Sequence, residues 1–113
     1  MKFLLIISHD ATFRPTRSLV SDIGRWIQRM SNSRVRIYGN PLRPPDEAKT
    51  VRIRKGQLTI KNGPSVRSKE KIAAYELIEC KNIDEAAAIA SEHPMARAAT
   101  IEVRPVWEEL TRT

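Results

Sequence analysis

Residues 50–61, Thr-Val-Arg-Ile-Arg-Lys-Gly-Gln-Leu-Thr-Ile-Lys, divide the chain into two halves of similar pattern. Apolar and polar residues alternate on both sides of Lys55-Gly56, as in two strands that each bury one face. A two-residue turn at Lys55-Gly56 places the four apolar side chains opposite one another on a single face. The resulting cross-strand pairs are Ile53 with Leu58 and Val51 with Ile60. Residues 50–61 therefore predict a β-hairpin.

The segment before the hairpin has the pattern of one strand–helix–strand unit. Residues 2–8 are an apolar run and predict a central strand covered on both faces. Residues 16–30 predict a helix, in which Gly24 either weakens the helix or permits close packing. Residues 34–38 alternate and predict a strand with Val35 and Ile37 inward. The apolar stripe of the helix comprises Leu19, Ile23, Trp26, Ile27 and Met30.

The segment after the hairpin repeats this unit. Asn62-Gly63-Pro64 predicts a turn, and residues 73–80 predict a strand. Asn82 followed by Glu85 is the pattern of a capping box, which starts a second helix. Residues 100–106 predict the last strand, and the proline-rich residues 39–46 predict an irregular loop.

Two strand–helix–strand units joined by a hairpin predict an α+β fold. We expect a single domain over residues 1–113, with a ferredoxin-like split β-α-β antiparallel sheet, a hairpin insertion and both helices on one face. The other face of the sheet then needs a cover, because two helices on one side cannot bury every apolar strand residue together with Trp107. A second copy of the chain is the simplest cover, so we predict a homodimer. The strand residues in question are Val35, Ile37, Ile101 and Val103.

Composition limits the class of protein. Cys80 is the single cysteine, so no disulfide can form within the chain, and a reducing, cytoplasmic location is expected. The apolar run that starts at Phe3 is too short for a secretion signal, and no stretch reaches transmembrane length. We expect no metal and no cofactor, since neither a ligand cluster nor a glycine-rich phosphate loop is present.

One segment resembles a known family. Residues 62–70, Asn-Gly-Pro-Ser-Val-Arg-Ser-Lys-Glu, resemble the Asp-Gly-Pro-Phe-Ala-Glu-Thr-Lys-Glu signature of the DGPF branch of YCII-related proteins. Residues 73–79 resemble the Gly-Gly-Tyr-Tyr-Leu-Ile-Glu strand of that family, and residues 83–86 and 101–106 resemble its second helix and closing strand. The resemblance covers residues 2–107. The residues that match the signature outright are Gly63, Pro64, Lys69 and Glu70.

This resemblance implies a dimeric α/β barrel, a fold that also hosts small-molecule enzymes. The chain departs from the signature at Asn62, Ser65 and Arg67, which makes the loop positive where the family has acidic residues. Functions that depend on the acidic version of the loop do not transfer to this chain. Fold analogy alone assigns no reaction.

Six residues are candidates for a site. His9 and Asp10 follow the first strand, where a strand end can open onto a pocket between sheet and helices, and they could act as a catalytic acid–base pair. However, neighbouring residues of an extended chain point to opposite faces, so a surface histidine beside a turn-forming aspartate is the alternative. The candidates for substrate binding are Lys69 and Glu70 of the signature, Tyr75 and Arg104. Solvated loop charges are the alternative for the first two, and we expect the last two to line one cleft, where the arginine could bind a carboxylate.

Other conspicuous residues have structural explanations. His93 precedes Pro94 at a helix end, where a partly charged imidazole suits the helix dipole. Cys80 has no histidine nearby in sequence to activate it, and Trp26 belongs to the apolar stripe of the first helix.

Three functions compete. The leading one is a dimeric protein that binds an unknown small molecule, with acid–base chemistry as an open question. The second is a regulatory or interaction module without catalysis. The third is binding of nucleic acid or another polyanion, suggested by a net charge of +7. This third function is disfavoured, because the arginines form no block and only Tyr38 lies near them for stacking. The arginines concerned are Arg34, Arg36, Arg52 and Arg54.

Overall fold

The computed structural model describes residues 1–111 and has the α+β architecture that the sequence predicts. A four-stranded sheet carries helices on one face, and a two-stranded hairpin lies apart from it. The elements are β1 (Lys2–His9), α1 (Arg17–Asn32), β2 (Arg36–Pro41), a 3-10 turn (Pro45–Glu47), β3 (Lys49–Arg54), β4 (Gln57–Asn62), β5 (Lys71–Glu79), α2 (Ile83–Ser91), α3 (Met95–Ala98), β6 (Thr100–Pro105) and α4 (Glu108–Thr111).

The strand order of the sheet is β2-β5-β1-β6, with antiparallel neighbours throughout. This is the predicted ferredoxin-like order, in which the two strand–helix–strand units interleave. The prediction of fold class is confirmed. The sheet stays open within one chain, so its β2 and β6 edges do not meet to close a barrel.

Strand β1 lies in the middle of the sheet and supplies three of the nine buried apolar side chains within residues 1–111. Phe3, Leu5 and Ile7 are buried against the helices, whereas Leu4 and Ile6 point to the opposite face and are only half-buried. Within one chain, the helices therefore cover only one of the two faces of β1 that were predicted to be covered.

Side-chain caps start the two longer helices, and one large side chain of α1 joins α2. The Thr16 hydroxyl accepts a hydrogen bond from the Leu19 N–H and starts α1, and the Asn82 side chain does the same for Glu85 N–H at the start of α2. Trp26 is buried, and its indole N–H donates to the Ile89 carbonyl at 3.3 Å. The core cluster comprises Phe3, Leu5, Trp26, Met30, Ile78, Ala86 and Ala90.

The hairpin of β3 and β4 has the predicted register. Val51 pairs with Ile60 and Ile53 with Leu58. Lys55 and Gly56 both have positive φ, of 53° and 77°, as a two-residue type I′ turn requires. The four paired apolar side chains are each 58–63% exposed, because the hairpin projects from the domain. The projection is consistent with a radius of gyration of 16.0 Å, against about 13 Å for a compact chain of this length.

Strand β2 differs from its prediction. It begins at Arg36 instead of residue 34, because Arg34 takes a left-handed conformation (φ 62°) where α1 ends. Val35 packs against the core as predicted, but Ile37 lies at an irregularity of the strand and is 43% exposed. The prediction that Ile37 points inward was wrong.

Arg36 takes the inward position instead of Ile37. Its guanidinium donates to the buried Glu76 carboxylate at 2.5 Å and to the Gly39 carbonyl at 3.0 Å. A Cβ at residue 39 would collide with that carboxylate and with the main-chain oxygen of Tyr75, so this position requires glycine. The two charges are buried as a pair, which avoids the large cost of burying either one alone.

The face of the sheet that lacks helices does not carry most of the residues that were predicted to need a cover. Ile101, Val103 and Val35 are partly buried against the core on the helix side, so they do not require a second cover. We call the opposite side of the sheet the open face. Trp107, which follows β6, is 68% exposed. The apolar residues of the open face are Leu4, Ile6, Tyr38, Ile72, Tyr75 and Leu77.

Gly24 lies in α1, where it could either weaken the helix or permit close packing. A Cβ at Gly24 meets nothing within 4 Å, so this glycine permits no close packing and only weakens α1. We expect Gly24→Ala to raise the free energy of unfolding by about 0.5–1 kcal/mol, measured by urea denaturation. Gly63→Ala is the matched control, because Gly63 has a φ of 96° and should lose stability on substitution. A destabilised Gly24→Ala protein would contradict this account.

Candidate functional site

His9 ends strand β1 and belongs to the face of the sheet that carries the helices. Its ring stacks on Phe13 with centroids 4.3 Å apart and planes 16° from parallel. Its Nδ1 lies 3.0 Å from the main-chain carbonyl oxygen of Asp10. Since a carbonyl oxygen only accepts, Nδ1 carries the proton in this hydrogen bond, and Nε2 of the neutral ring keeps its lone pair. His9 is thus oriented on two sides, and Nε2 is the nitrogen without a proton when the ring is neutral.

Asp10 meets His9 through its backbone and not through its carboxylate. The carboxylate accepts from the Thr12 N–H at 2.9 Å and from the Thr12 hydroxyl at 2.5 Å, which closes a turn. These hydrogen bonds, that of the hydroxyl first, hold the pKa of Asp10 below its ordinary value of 3.8. The expected carboxylate–imidazole pair is therefore absent from this geometry, and Asp10 instead fixes the tautomer of His9.

His9, Asp10 and Lys69 line one cavity of about 420 Å³, which we call the basic cavity. Arg43 and Lys71 add two further cations to its wall. Arg43 pairs with Glu47 at 2.9 Å, and the Lys71 ammonium donates to the Val66 carbonyl at 3.2 Å. Within residues 1–111, Lys69 has neither a hydrogen-bond partner nor an ion pair for its ammonium. The basic cavity therefore favours a negatively charged occupant.

The remaining candidate residues lie elsewhere. Tyr75 and Arg104 are on the open face, opposite Ile6 and Leu4 of β1 respectively, so the sheet separates them from His9. The Tyr75 hydroxyl accepts from the Asn40 side chain at 3.0 Å, and Arg104 pairs with Glu102 at 3.3 Å.

Glu70 also turns away from His9, although Lys69 precedes it in the signature. Its carboxylate accepts from the Thr100 hydroxyl at 2.8 Å. With Arg104 it lines a second cavity of about 520 Å³ on the open face. The six candidates consequently do not share one cleft. The basic cavity and this second cavity nevertheless adjoin, because Arg43 and Lys71 line both.

Two site residues were missed by the sequence analysis. Arg43 lies in the proline-rich loop before β3, and Lys71 is the strand partner of His9 in the register of β5 with β1. The sequence analysis started this strand at residue 73, and a predicted start at residue 71 would have placed Lys71 beside His9. No local pattern indicates where the irregular loop carries Arg43.

The arginines do not form the array that polyanion binding would need. Arg36 is bound to Glu76 within the main sheet, and Arg34 lies at the end of α1. Arg52 and Arg54 stand on the separate hairpin, on the face opposite its apolar residues. The four side chains therefore do not form one surface, and the structure does not support the sequence argument for binding a polyanion.

His93 and Cys80 have structural environments. His93 is 2% exposed, its ring packs edge-on against Trp26 at 4.6 Å, and its Nδ1 accepts the Met95 N–H at 3.0 Å. Burial lowers the pKa of His93 to about 4, so the ring is neutral. The expectation of a partly charged imidazole was wrong, although the ring does serve the fold. Burial raises the pKa of the Cys80 thiol, which makes it a weak nucleophile.

No group of three or more His, Cys, Asp or Glu side chains in residues 1–111 is arranged to hold a metal ion. No helix in that range has the length and apolar character needed to cross a membrane.

Comparison with known proteins identifies the family of the chain. The model of the YCII-related domain matches residues 1–110. The chain belongs to the YCII-related family. The match extends from the first strand through the signature loop of Gly63, Pro64, Lys69 and Glu70 to the last helix, so it supports the sequence resemblance over its whole length.

A solved structure supports the fold of this YCII-related chain. It is the 5-chloro-2-hydroxyhydroquinone dehydrochlorinase of Burkholderia phenoliruptrix, in complex with 2,5-dihydroxybenzoquinone. The two chains share 16% identity and a TM-score of 0.51 over 94% of this chain and 93% of the other. At this identity the likeness concerns the fold alone. No curated protein sequence matches the chain.

The neutral, buried His93 makes stability depend on pH. In the unfolded chain its pKa is near 6.5, and in the folded chain it is about 4. The unfolded state therefore binds more protons between these values, and stability should fall as the pH drops from 7 to 4, by at most about 1.4 kcal/mol per pH unit. Urea denaturation at several pH values measures this slope.

His93→Asn is the matched variant for this prediction. Its side-chain oxygen can still accept the Met95 N–H, but it cannot titrate, so the contribution of residue 93 to the slope should vanish even if the protein is less stable. His9→Asn should leave the slope in place. Equal slopes in the wild type and His93→Asn would contradict the assignment.

Proposed function

We propose that the protein binds a small molecule in the basic cavity and that His9 exchanges a proton with it. The observation that carries this proposal is the orientation of His9. Its Nδ1–H donates to the Asp10 carbonyl while Nε2 is left to a ligand. In this mechanism Nε2 takes a proton from a C–H or O–H group of the ligand, and the resulting imidazolium returns it to another atom of the ligand.

The surroundings of His9 favour such chemistry. Phe13 holds the ring plane, and the cations Arg43, Lys69 and Lys71 stabilise negative charge that develops on the ligand when it loses its proton. The structurally similar dehydrochlorinase binds a small ring compound, 2,5-dihydroxybenzoquinone, on the same fold. That likeness supports a small-molecule function without naming the ligand of this chain.

We further propose that the protein works as a homodimer through the open face. The half-buried Leu4, Ile6 and Leu77, together with the exposed Tyr38, form an apolar surface larger than single scattered residues. The hairpin presents a second uncovered apolar face, and a two-stranded hairpin alone is at best marginally stable in water. A second copy of the chain, related to the first by a twofold axis, would cover both the open face and the apolar face of the hairpin.

His9→Asn tests the chemical role. The asparagine amide can still donate to the Asp10 carbonyl, but it offers no nitrogen base. We expect ligands found in a thermal-shift screen of small metabolites to be turned over by the wild type and at least about 100-fold more slowly by His9→Asn. Mass spectrometry of the incubated ligand measures the turnover.

Two outcomes would count against the chemical proposal. Equal turnover by His9→Asn and the wild type would remove His9 from the chemistry. Binding without turnover by either protein would favour a regulatory module, and a screen without any ligand would contradict the small-molecule function.

Leu77→Lys tests the dimer. Leu77 lies between Leu4 and Tyr38 on the open face, so a lysine there should disrupt a face-to-face dimer and leave the core intact. Multi-angle light scattering should give twice the chain mass of 12.9 kDa for the wild type and a single chain for Leu77→Lys.

Ile83→Lys is the control for this experiment, because Ile83 is exposed on α2, away from the open face. It should remain dimeric. A monomeric wild type, or a dimer that survives Leu77→Lys, would contradict the proposed interface.

A further inference from the structure

A second cavity adjoins His9 on the helix side. It has a volume of about 470 Å³ and lies between the sheet and the first half of α1, and we call it the apolar cleft. It exists because α1 closes on the core only through its second half, where Trp26 and Met30 are buried, while Val20 in its first half is 59% exposed. Residues that line the apolar cleft include Ile7, Phe13, Leu19, Ile23, Ile27 and Met95.

Charge is nearly absent from the apolar cleft. Glu76 is the single acidic residue among its lining residues, and it is bound to Arg36. His93, which also lines the cleft, is neutral because burial lowers its pKa to about 4. The cleft therefore suits an apolar group and penalises a charged one.

The apolar cleft and the basic cavity meet at His9. Both are lined by His9, Leu42 and Ala73, so the imidazole stands at their junction. One cavity is cationic and the other apolar, and together they exceed the room that a small metabolite needs. A molecule that spans the junction would hold its reactive atoms beside Nε2 of His9.

We propose that the ligand is an amphipathic anion, with a carboxylate or phenolate in the basic cavity and an aromatic or aliphatic body in the apolar cleft. This inference rests on the proposed function of His9 and adds the class of ligand. Lys69 is the principal group for the anion, because its ammonium has no other partner within the described chain. Arg43 and Lys71 lie in the same wall but already hold Glu47 and the Val66 carbonyl.

The lining of the apolar cleft determines which kind of ligand body can bind there. Side chains from β1, from the loop after it and from α1 form an apolar wall on which a ring or branched chain loses water. Phosphate esters and other polar anions gain nothing there. Neutral molecules with the same body leave Lys69 unpaired, so they should bind more weakly.

Isothermal titration calorimetry with 3-phenylpropionate tests the inference. The comparison ligands are 3-phenylpropanol, which has the same body without the charge, and acetate, which has the charge without the body. We expect 3-phenylpropionate to bind at least about tenfold more tightly than either. Its affinity should fall as salt is raised, because the cavity wall is partly exposed.

Three variants locate the binding. Lys69→Gln should weaken 3-phenylpropionate about tenfold and leave 3-phenylpropanol unchanged, whereas Lys61→Gln on the hairpin should change neither. Ile23→Gln should weaken both ring compounds by making the cleft polar. Since Ile23→Gln could lose stability, Lys69→Gln on the protein surface keeps the test decisive.

Failure of this inference is distinct from failure of the proposed function. Equal affinity for 3-phenylpropionate and 3-phenylpropanol, no effect of Lys69→Gln, or no binding of 3-phenylpropionate overturns the amphipathic anion. If neutral or cationic molecules then stabilise the wild type and are turned over through His9, the proposed function stands with another ligand class. If no molecule of any charge does so, both fail.

Discussion

The alternation of side chains along β1 is the constraint on which the rest of the structure depends. Because successive residues of a strand point to opposite faces, Phe3, Leu5 and Ile7 enter the core together, and His9 follows them on the same side. The strand lies in the centre of the sheet, with β5 and β6 on its two sides. A shift of one residue in its register would expose the core and would turn His9 towards the open face.

The same alternation keeps the candidate residues of the open face away from His9, although the two cavities share Arg43 and Lys71 in their walls. Tyr75 and Arg104 lie opposite residues of β1 that point to the open face, so they cannot reach His9 through the sheet. Lys69 lines the same cavity as His9 because it precedes β5, where the alternation of the sheet no longer fixes the direction of the side chain. The chemistry around His9 therefore comes from a strand end and from loops, and the strands supply its support.

Features determined by neighbouring residues were predictable from the sequence. The hairpin, the Asn82 cap and the individual strands and helices of the two units depend on patterns among residues close in sequence, and the structure contains all of them. Features determined by distant partners were not. Arg36 points inward only because Glu76, forty residues later, supplies a buried carboxylate, and this pair displaces Ile37 to the surface.

The candidate site shows the same division. The position of its histidine follows from the pattern of β1. The turn in which the Asp10 carboxylate binds Thr12 does not, because an aspartate can form several alternative local hydrogen bonds. The route of the loop that brings Arg43 to the basic cavity has no periodic pattern from which to predict it. The apolar cleft is also a tertiary feature, since the stripe of α1 is continuous in sequence although only its second half is buried.

The central claim is that His9 presents an unprotonated Nε2 at the junction of the two cavities, and imidazole nitrogen NMR tests it most directly. The two histidines should be opposite tautomers in their neutral forms, because Nδ1 of His9 donates to a carbonyl whereas Nδ1 of His93 accepts a main-chain N–H. The account predicts a proton on Nδ1 of His9 and on Nε2 of His93, with only His9 shifting when 3-phenylpropionate is added. A proton on Nε2 of neutral His9, or a ligand that shifts His93 and leaves His9 unchanged, would contradict it.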